Sequence, residues 1–221
     1  MNMFTGIIEH LGSISRLETG PSGGKLAVHA PALAGKLAVS ASIAVNGCCL
    51  TIVDLDHDHF SADLSPETLA KTSFSSLKPG ARVNLEQPLT AGKEFGGHFV
   101  LGHVDTVGHV THLKQDGDSW LFGVQIRADL ARYIVPKGSL TIDGISLTVA
   151  TWQPSQHSSV AEIAIIPYTY QHTNISDRSP GDPVNLEADI LGKYIERYLS
   201  HRGFSSPVSS VRLDDLVRQG F

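Results

Sequence analysis

The sequence predicts an all-β protein: two similar antiparallel domains in tandem, produced by an internal duplication, followed by a C-terminal α-helix. Three observations carry this prediction. The chain repeats itself at an offset near 97 residues. Its apolar runs are short, rich in β-branched residues and broken by Gly, Pro, Asp and Ser. One long segment, near the C-terminal end, carries apolar residues at helical spacing.

The repeat comes in four blocks. GIIEHLGSI at 6–14 matches GHVDTVGHV at 102–110, an offset of 96. NGCCLTIV at 46–53 matches DGISLTVA at 143–150, an offset of 97. Pro66, Thr68 and Thr72 then match Pro167, Thr169 and Thr173, and GARVNLE at 80–86 matches GDPVNLE at 181–187, both at 101. The offset grows between the second and third blocks, and the turn around Gln153 to Ser159, set against Asp56 to His59, accommodates the extra residues. Shared Gly, Asn and Pro at matching places argue against chance similarity of strands. A period this long means two domains rather than a solenoid. The expected boundaries are 1–97, 98–187, and a helix with its tail at 188–221.

Within each half, SIAVNG, CLTIVD and RVNLEQ, then LFGVQIR, LTIDG, SLTVA and VAEIAII, read as strands of a small barrel or sandwich. Ser65 followed by Pro66 is an N-cap with proline at the first helical position, and a counterpart begins at Pro167. Short helical pieces are also expected at Pro31–Leu37 and Ala128–Ile134. In Ala188–Leu199 the apolar residues Ile190, Leu191, Tyr194, Ile195, Tyr198 and Leu199 form one stripe, and Gly203 follows as a stop. Nothing in the barrels requires this helix, so it is expected either to pack on the parent chain or to pair with another copy, self-association being one reading. A second short helix is expected around Leu213–Arg218.

Composition narrows the function. The net charge is −5, which leaves no basic excess to neutralise phosphates, so a nucleic-acid partner is not expected. No apolar run approaches the ~18 residues that span a membrane. The opening MNMFTGIIEH has neither the basic segment nor the long apolar stretch of a secretory signal, which predicts a cytoplasmic protein. Cys48 and Cys49 are adjacent, so they cannot staple distant segments, and they lack the spaced partners of a zinc site. On a strand the two thiols point to opposite faces. One is therefore expected to face a core and the other a surface or a cleft.

With the repeat in view, the sequence resembles the riboflavin synthases of the duplicated-barrel kind. The residues that carry the resemblance are MFTGIIE at 3–9, NGCCLT at 46–51, GGHFVLGHVD at 96–105, and KG with IDGISLTV at 137–149. The resemblance covers residues 3–200. It implies two six-stranded Greek-key barrels and a C-terminal trimerisation helix. It implies a homotrimer whose active sites lie between the N-terminal barrel of one subunit and the C-terminal barrel of a neighbour. It implies the dismutation of two 6,7-dimethyl-8-ribityllumazine molecules to riboflavin and 5-amino-6-ribitylamino-uracil, with no metal, redox cofactor or nucleotide. It implies the core for Cys48 and the cleft for Cys49. Association with lumazine synthase is left open.

Two copies of one ligand call for two similar pockets, yet the two molecules meet different fates. The halves differ where they match: Cys48-Cys49 stands against Ile145-Ser146, and Ile7 against His103. One pocket is therefore expected to carry thiols and the other a hydroxyl and an imidazole. The candidate catalytic residues are Cys49, His103, Ser146 and Thr148. His103 could take a proton from the acidic 7-methyl group of the lumazine. Lys137 could stabilise charge building on the pyrimidine. The resemblance implies that short hydroxyls at Ser42, Thr51 and Thr68, with Ser65, hold the ribityl chain and the pyrimidine, as Thr148 and Thr169 do in the second half. Asp63 could bind ribityl hydroxyls, where Ala164 is its counterpart. Around these the ligand-contacting stretches are Leu50, Leu64, Pro66 and Glu67 in one half, and Leu147, Ile165, Ile166, Pro167 and Tyr168 in the other. Phe4, Gly6, Ile7 and Ile8 are expected to close over one site, and Gly102 and Val104 to flank His103 at the other. His98, His109 and His112 have no matching partners and read as structural. Ala41 and Ser65-Pro66 lie in stretches that vary in the family, and Tyr168 replaces a smaller acidic residue. A non-catalytic lumazine- or flavin-binding antenna protein on the same scaffold is the rival reading. Such proteins lose much of the second-half pattern, and here both halves keep it.

Overall fold

The computed structural model describes residues 3–155 and 159–201. The first half contributes strands β1 (His10–Gly20), β2 (Gly23–His29), β3 (Ser42–Val45), β4 (Cys48–Leu55), β5 (His59–Leu64) and β6 (Arg82–Glu86). They close into an antiparallel barrel in the order β1-β2-β5-β4-β3-β6. Inward residues alternate with outward ones, as the pleat requires: Phe60, Ala62 and Leu64 of β5 are buried, while Asp63 faces out. Phe60 and Phe74 are fully buried in the core they share with Ile14, Leu26, Ile43 and Leu85.

The second half repeats the plan with one difference. Its strands are β7 (Thr106–Asp116), β8 (Ser119–Ile126), β9 (Ser139–Ile142), β10 (Ile145–Thr148), β11 (Thr151–Gln153), β12 (Ser159–Ile165) and β13 (Pro183–Ala188). They form a seven-stranded curled sheet in the order β10-β9-β13-β7-β8-β12-β11, rather than the expected closed six-stranded barrel. The counterpart of β4 is split into β10 and β11, which sit at the two ends of the sheet. The break falls where the β4–β5 register of the first barrel slips, between Ile52 and Asp54. The local bonding is alike in both halves: Ile52 donates to Ala41 O (2.9 Å), and the matching Val149 to Gly138 O (3.0 Å).

Among the described residues, four short α-helices connect the strands. They are α1 (Pro31–Ala34), α2 (Pro66–Lys71), α3 (Ala128–Ala131) and α4 (Pro167–His172). Of these, α2 alone has a side-chain N-cap. The Ser65 hydroxyl accepts the Thr68 N–H at 3.0 Å, whereas α4 starts at Ile166 with no side-chain cap. From Leu191 the chain is a separate unit. It continues helix α5 (Ile190–His201), on which Leu191, Tyr194, Ile195, Tyr198 and Leu199 are all exposed. Gly203 and the segment Leu213–Arg218 lie outside the described residues.

The two halves meet about an approximate twofold axis. Phe4 and Val100, which match at offset 96, pair with each other through N···O contacts of 2.8 and 3.2 Å. The hairpin glycines Gly47 and Gly144 also face each other: a Cβ built on either would lie 2.6 Å from the other's nitrogen. Beside them a buried amide network crosses the axis. Asn84 receives Asn174 N–H (2.8 Å) and gives its amide to Asp143 O (2.9 Å); Asn185 receives Ser73 N–H (2.7 Å) and gives its amide to Asn46 O (2.8 Å). The Asp143 carboxylate, 2% exposed, is paired with Arg178.

Candidate active site

Each half lends its entry segment to the other barrel. Residues 3–8 lead into β1, yet Gly6 O accepts the N–H of Ser146 on β10, at 2.7 Å. Residues 99–104 lead into β7, yet Gly102 O accepts the N–H of Cys49 on β4, at 2.9 Å. Both glycines have positive φ, 77° and 75°, and no room for a side chain. A Cβ on Gly6 would sit 2.7 Å from that of Ser146; one on Gly102 would sit 2.5 Å from that of Cys49.

The exchange corrects the expected division of chemistry. His103 belongs to the second half but lines the Cys49 pocket of the first barrel. That pocket has a volume of about 260 Å³ and is walled by Cys48, Cys49, Ser65, Glu67, Thr68, Lys71, Thr72, Gly102, His103 and Val104. Cys49 is half-buried and bonded to the Ser42 hydroxyl; Cys48 points into the core. Burial pushes both thiols up, Cys48 to about 12, and the Glu187 carboxylate adds to the shift in each. Cys49 therefore enters the pocket as a neutral thiol rather than a thiolate. Thr51 is exposed two residues further on, opposite Ser42 in the β3–β4 register. Lys71 and Thr72 were missed in the sequence, although Lys71 follows Glu67 at helical spacing on α2.

The Ser146 site has its own imidazole, and it is His98. Its Nδ1 lies 2.7 Å from Ser146 Oγ and its Nε2 lies 3.1 Å from Thr141 Oγ1. His98 is 7% exposed, and burial holds its pKa below the ordinary value, so the ring is neutral. With the proton on Nε2 it donates to Thr141 and accepts the Ser146 hydroxyl. His98, read from the sequence as structural, is buried and lies against both Ser146 and Thr141. What concealed it is that its repeat position is Asn2, which shares no chemistry with it. Thr148 is exposed on the same strand face as Ser146, opposite Ser139 in register. Lys137 is exposed at the positive-φ turn just before β9, with its N–H on Val149 O. Ile7 is exposed and Ile8 packs against the second core. Ala164, Ile166, Pro167 and Tyr168 are exposed along the end of β12 and the start of α4, and Thr169 is partly buried there. Tyr168 stacks on His172 at 4.0 Å.

Several expected contacts are core instead. Leu50, Leu64, Leu147 and Ile165 are at most 8% exposed, so any part they take in binding falls to their backbone. Phe4 is fully buried with Ala44 and Val100 and does not close over a ligand. Asp63 faces Lys25 across the β2–β5 pair and lines a separate depression against the β1–β2 hairpin. Pro66 serves α2 as its first residue. A larger groove of about 550 Å³ runs between α2 and β7–β8, with Lys71, Asp105, His109, Gln125, Arg127 and Asp129 in its walls. It shares only Lys71 with the smaller pocket, which alone brings a thiol and an imidazole together. Among the described residues, Asp56, Asp58 and His59 on the β4–β5 hairpin have converging ligand atoms, and none of them lines either site.

Comparison with known proteins agrees with this duplicated arrangement. A family model for the lumazine binding domain matches twice, at residues 5–88 and 101–189. Riboflavin synthase of Actinobacillus pleuropneumoniae is 39% identical over 219 residues, covering 99% of this chain and all of that one. Riboflavin synthase of Mycobacterium bovis is 39% identical over 203 residues, covering 91% of this chain and all of that one. The crystal structure of LumP complexed with 6,7-dimethyl-8-(1'-D-ribityl)lumazine superposes with a TM-score of 0.75 at 23% identity, over 84% of this chain and 99% of that one. Two domain matches and full-length likeness to curated enzymes place the chain in the lumazine-binding-domain family of riboflavin synthases.

Proposed function

We propose that this chain catalyses the dismutation of two 6,7-dimethyl-8-ribityllumazine molecules into riboflavin and 5-amino-6-ribitylamino-uracil. One lumazine gives a four-carbon unit to the other, so the reaction is balanced within the pair and needs no outside oxidant. The observation that carries this reading is a pair of like-built sites with unlike chemistry: a neutral thiol with His103 in one, and a hydroxyl held by His98 in the other. A plain binding protein has no use for that asymmetry.

The roles follow from the placement. His103, exposed at the Cys49 pocket, takes the 7-methyl proton of its lumazine. Cys49 donates a hydrogen bond to the ring. At the other site Ser146, its proton drawn to His98, adds to or hydrogen-bonds the second ring. The hydroxyls of Ser65, Thr68 and Thr51 at one site, and of Thr148 and Thr169 at the other, bind the ribityl chain. Lys137 steadies charge on the pyrimidine. The Cys49 pocket, at about 260 Å³, falls just below the roughly 300–1,000 Å³ that enclose a drug-sized ligand. A second wall from a neighbouring subunit would complete it. The exposed apolar stripe of α5 supports a homotrimer held by that helix. A cytoplasmic location is in keeping with such a biosynthetic role.

The test is to incubate the purified protein with 6,7-dimethyl-8-ribityllumazine and nothing else. Riboflavin at half the molar amount of substrate consumed is expected. Tight binding with an unchanged chromophore would instead identify a binding protein of the LumP kind.

A further inference from the structure

The repeated motif GxxVNLE ends in a glutamate in both halves, and neither glutamate takes part in the chemistry assigned above. Both are buried, Glu86 at 2% and Glu187 at 3% exposure. A carboxylate is not kept in a protein interior without partners that hold it. Here the partners are backbone. Glu86 Oε1 accepts the Thr5 N–H (2.8 Å) and the Thr5 hydroxyl (2.9 Å), and Oε2 accepts the Gly6 N–H (3.0 Å). Glu187 Oε1 accepts the Leu101 N–H (2.7 Å), and Oε2 accepts the His103 N–H (3.0 Å). Charge-assisted bonds of this kind are stronger than neutral ones, and two from one rigid carboxylate fix orientation as well as distance.

Each carboxylate grips one of the exchanged entry segments, at the positive-φ glycine whose carbonyl then meets the opposite barrel. Glu187 stands on β13 of the second half, and its segment ends against Cys49 of the first. Glu86 stands on β6 of the first half, and its segment ends against Ser146 of the second. The control is therefore crossed. The influence of Glu187 on Cys49 reaches through space too, since its charge raises that thiol's pKa.

We propose that Glu187 and Glu86 are positioning residues, each setting the reactive site of the barrel opposite its own: Glu187 holds His103 against Cys49, and Glu86 holds the Gly6 turn against Ser146. The proposal rests on the reading that these two sites each take a lumazine. Its test needs a readout that does not depend on turnover, and Cys49 supplies one. In the full-length chain, the limiting rate of Cys49 alkylation by iodoacetamide, taken from a pH–rate profile so that a change in the thiol's pKa is separated out, reports how the Gly102–His103 turn seats on the thiol. Glu187→Gln loses one of two acceptors and is expected to raise that rate about threefold or more, while Glu86→Gln leaves it unchanged. In the same variants kcat is expected to fall about tenfold, with lumazine affinity changed less than threefold. Equal changes of Cys49 labelling in both variants, or no change in either, would overturn the crossed assignment. Where a glutamine variant fails to show a native thermal transition, Glu187→Asp and Glu86→Asp are compared in the same way, and the same crossed pattern is expected. If the unmodified protein makes no riboflavin, the catalytic reading falls, and the labelling comparison still decides the positioning one.

Discussion

Cys49 and Ser146 occupy one position of the repeat, yet their neighbours give them opposite tasks. Burial and the Glu187 charge keep Cys49 protonated, whereas Ser146 has the neutral imidazole of His98 2.7 Å from its hydroxyl. Cys49→Ser keeps a donor in place and is expected to retain kcat within about tenfold, while Cys49→Ala and His103→Ala each lower kcat more than affinity. Equal loss in kcat and binding would reduce these residues to contacts, as steady-state rates and lumazine titration would show. His98 adds a pH dependence. Its pKa is lowered in the folded chain from 6.5, so below about that pH the unfolded chain binds the proton more readily. Stability therefore falls on acidification through that window. Urea midpoints measured from pH 7 to 5 should fall more steeply in the natural protein than in His98→Gln. Gly102→Ala would force a Cβ to within 2.5 Å of Cys49 Cβ at a φ of 75°. A loss of about 2–4 kcal/mol is expected in denaturant unfolding.

At the scale of elements, the hairpins, the Ser65 cap and the C-terminal helix were legible, because each rests on local chemistry. Asn46-Gly47 and Asp143-Gly144 adopt the positive-φ turns that such pairs favour, between short apolar strands. The exchange of entry segments was not legible. Gly6 and Gly102 repeat in the sequence, but a repeated glycine does not say which barrel its carbonyl will meet. The pairing of Phe4 with Val100 is a long-range event with no pattern of its own. That gap put His103 with the wrong pocket and left the contact of His98 with Ser146 unforeseen, since both readings assumed that each half builds its own pocket. The split of β10 from β11 was equally silent, because a bulge and a break differ by a hydrogen bond or two. The element that joins the two halves beside the exchange is the amide network. The Asn84 side chain makes three buried bonds, to Asp143 O and to both the amide and the backbone N–H of Asn174, while its backbone N–H meets Asn46 Oδ1. Asn84→Ala is expected to cost about 3–5 kcal/mol in denaturant unfolding, well above the loss of a single hydrogen bond, because it strands three buried groups of the second half, Asp143 O and the amide oxygen and N–H of Asn174.

At the scale of the molecule, the question is whether a working site forms within one chain or between two. Removal of the C-terminal helix must begin after Ile190, because Ala188 is buried as the last residue of β13 and donates to Asp105. A chain ending there is expected to sediment as a monomer with folded barrels and little activity; a persisting trimer would show that α5 does not hold it. Location of the site calls for a second experiment, which uses the unlike chemistry of the two pockets. A chain carrying Cys49→Ala and His103→Ala lacks a working first-barrel site but keeps Ser146 and His98. A chain carrying Ser146→Ala and His98→Gln has the reverse defect. Each alone should be inactive in either arrangement. When they are unfolded together and refolded as mixed trimers, a site between neighbours finds one intact pocket from each chain type. In a closed ring containing both types, the productive neighbour order occurs once. Random mixing of equal amounts into trimers then restores roughly a quarter of the activity of the unmodified protein. A site within one chain restores none, since every chain carries one dead pocket. Recovered riboflavin formation would thus place the two lumazines across the subunit boundary, and its absence would confine them to a single double barrel.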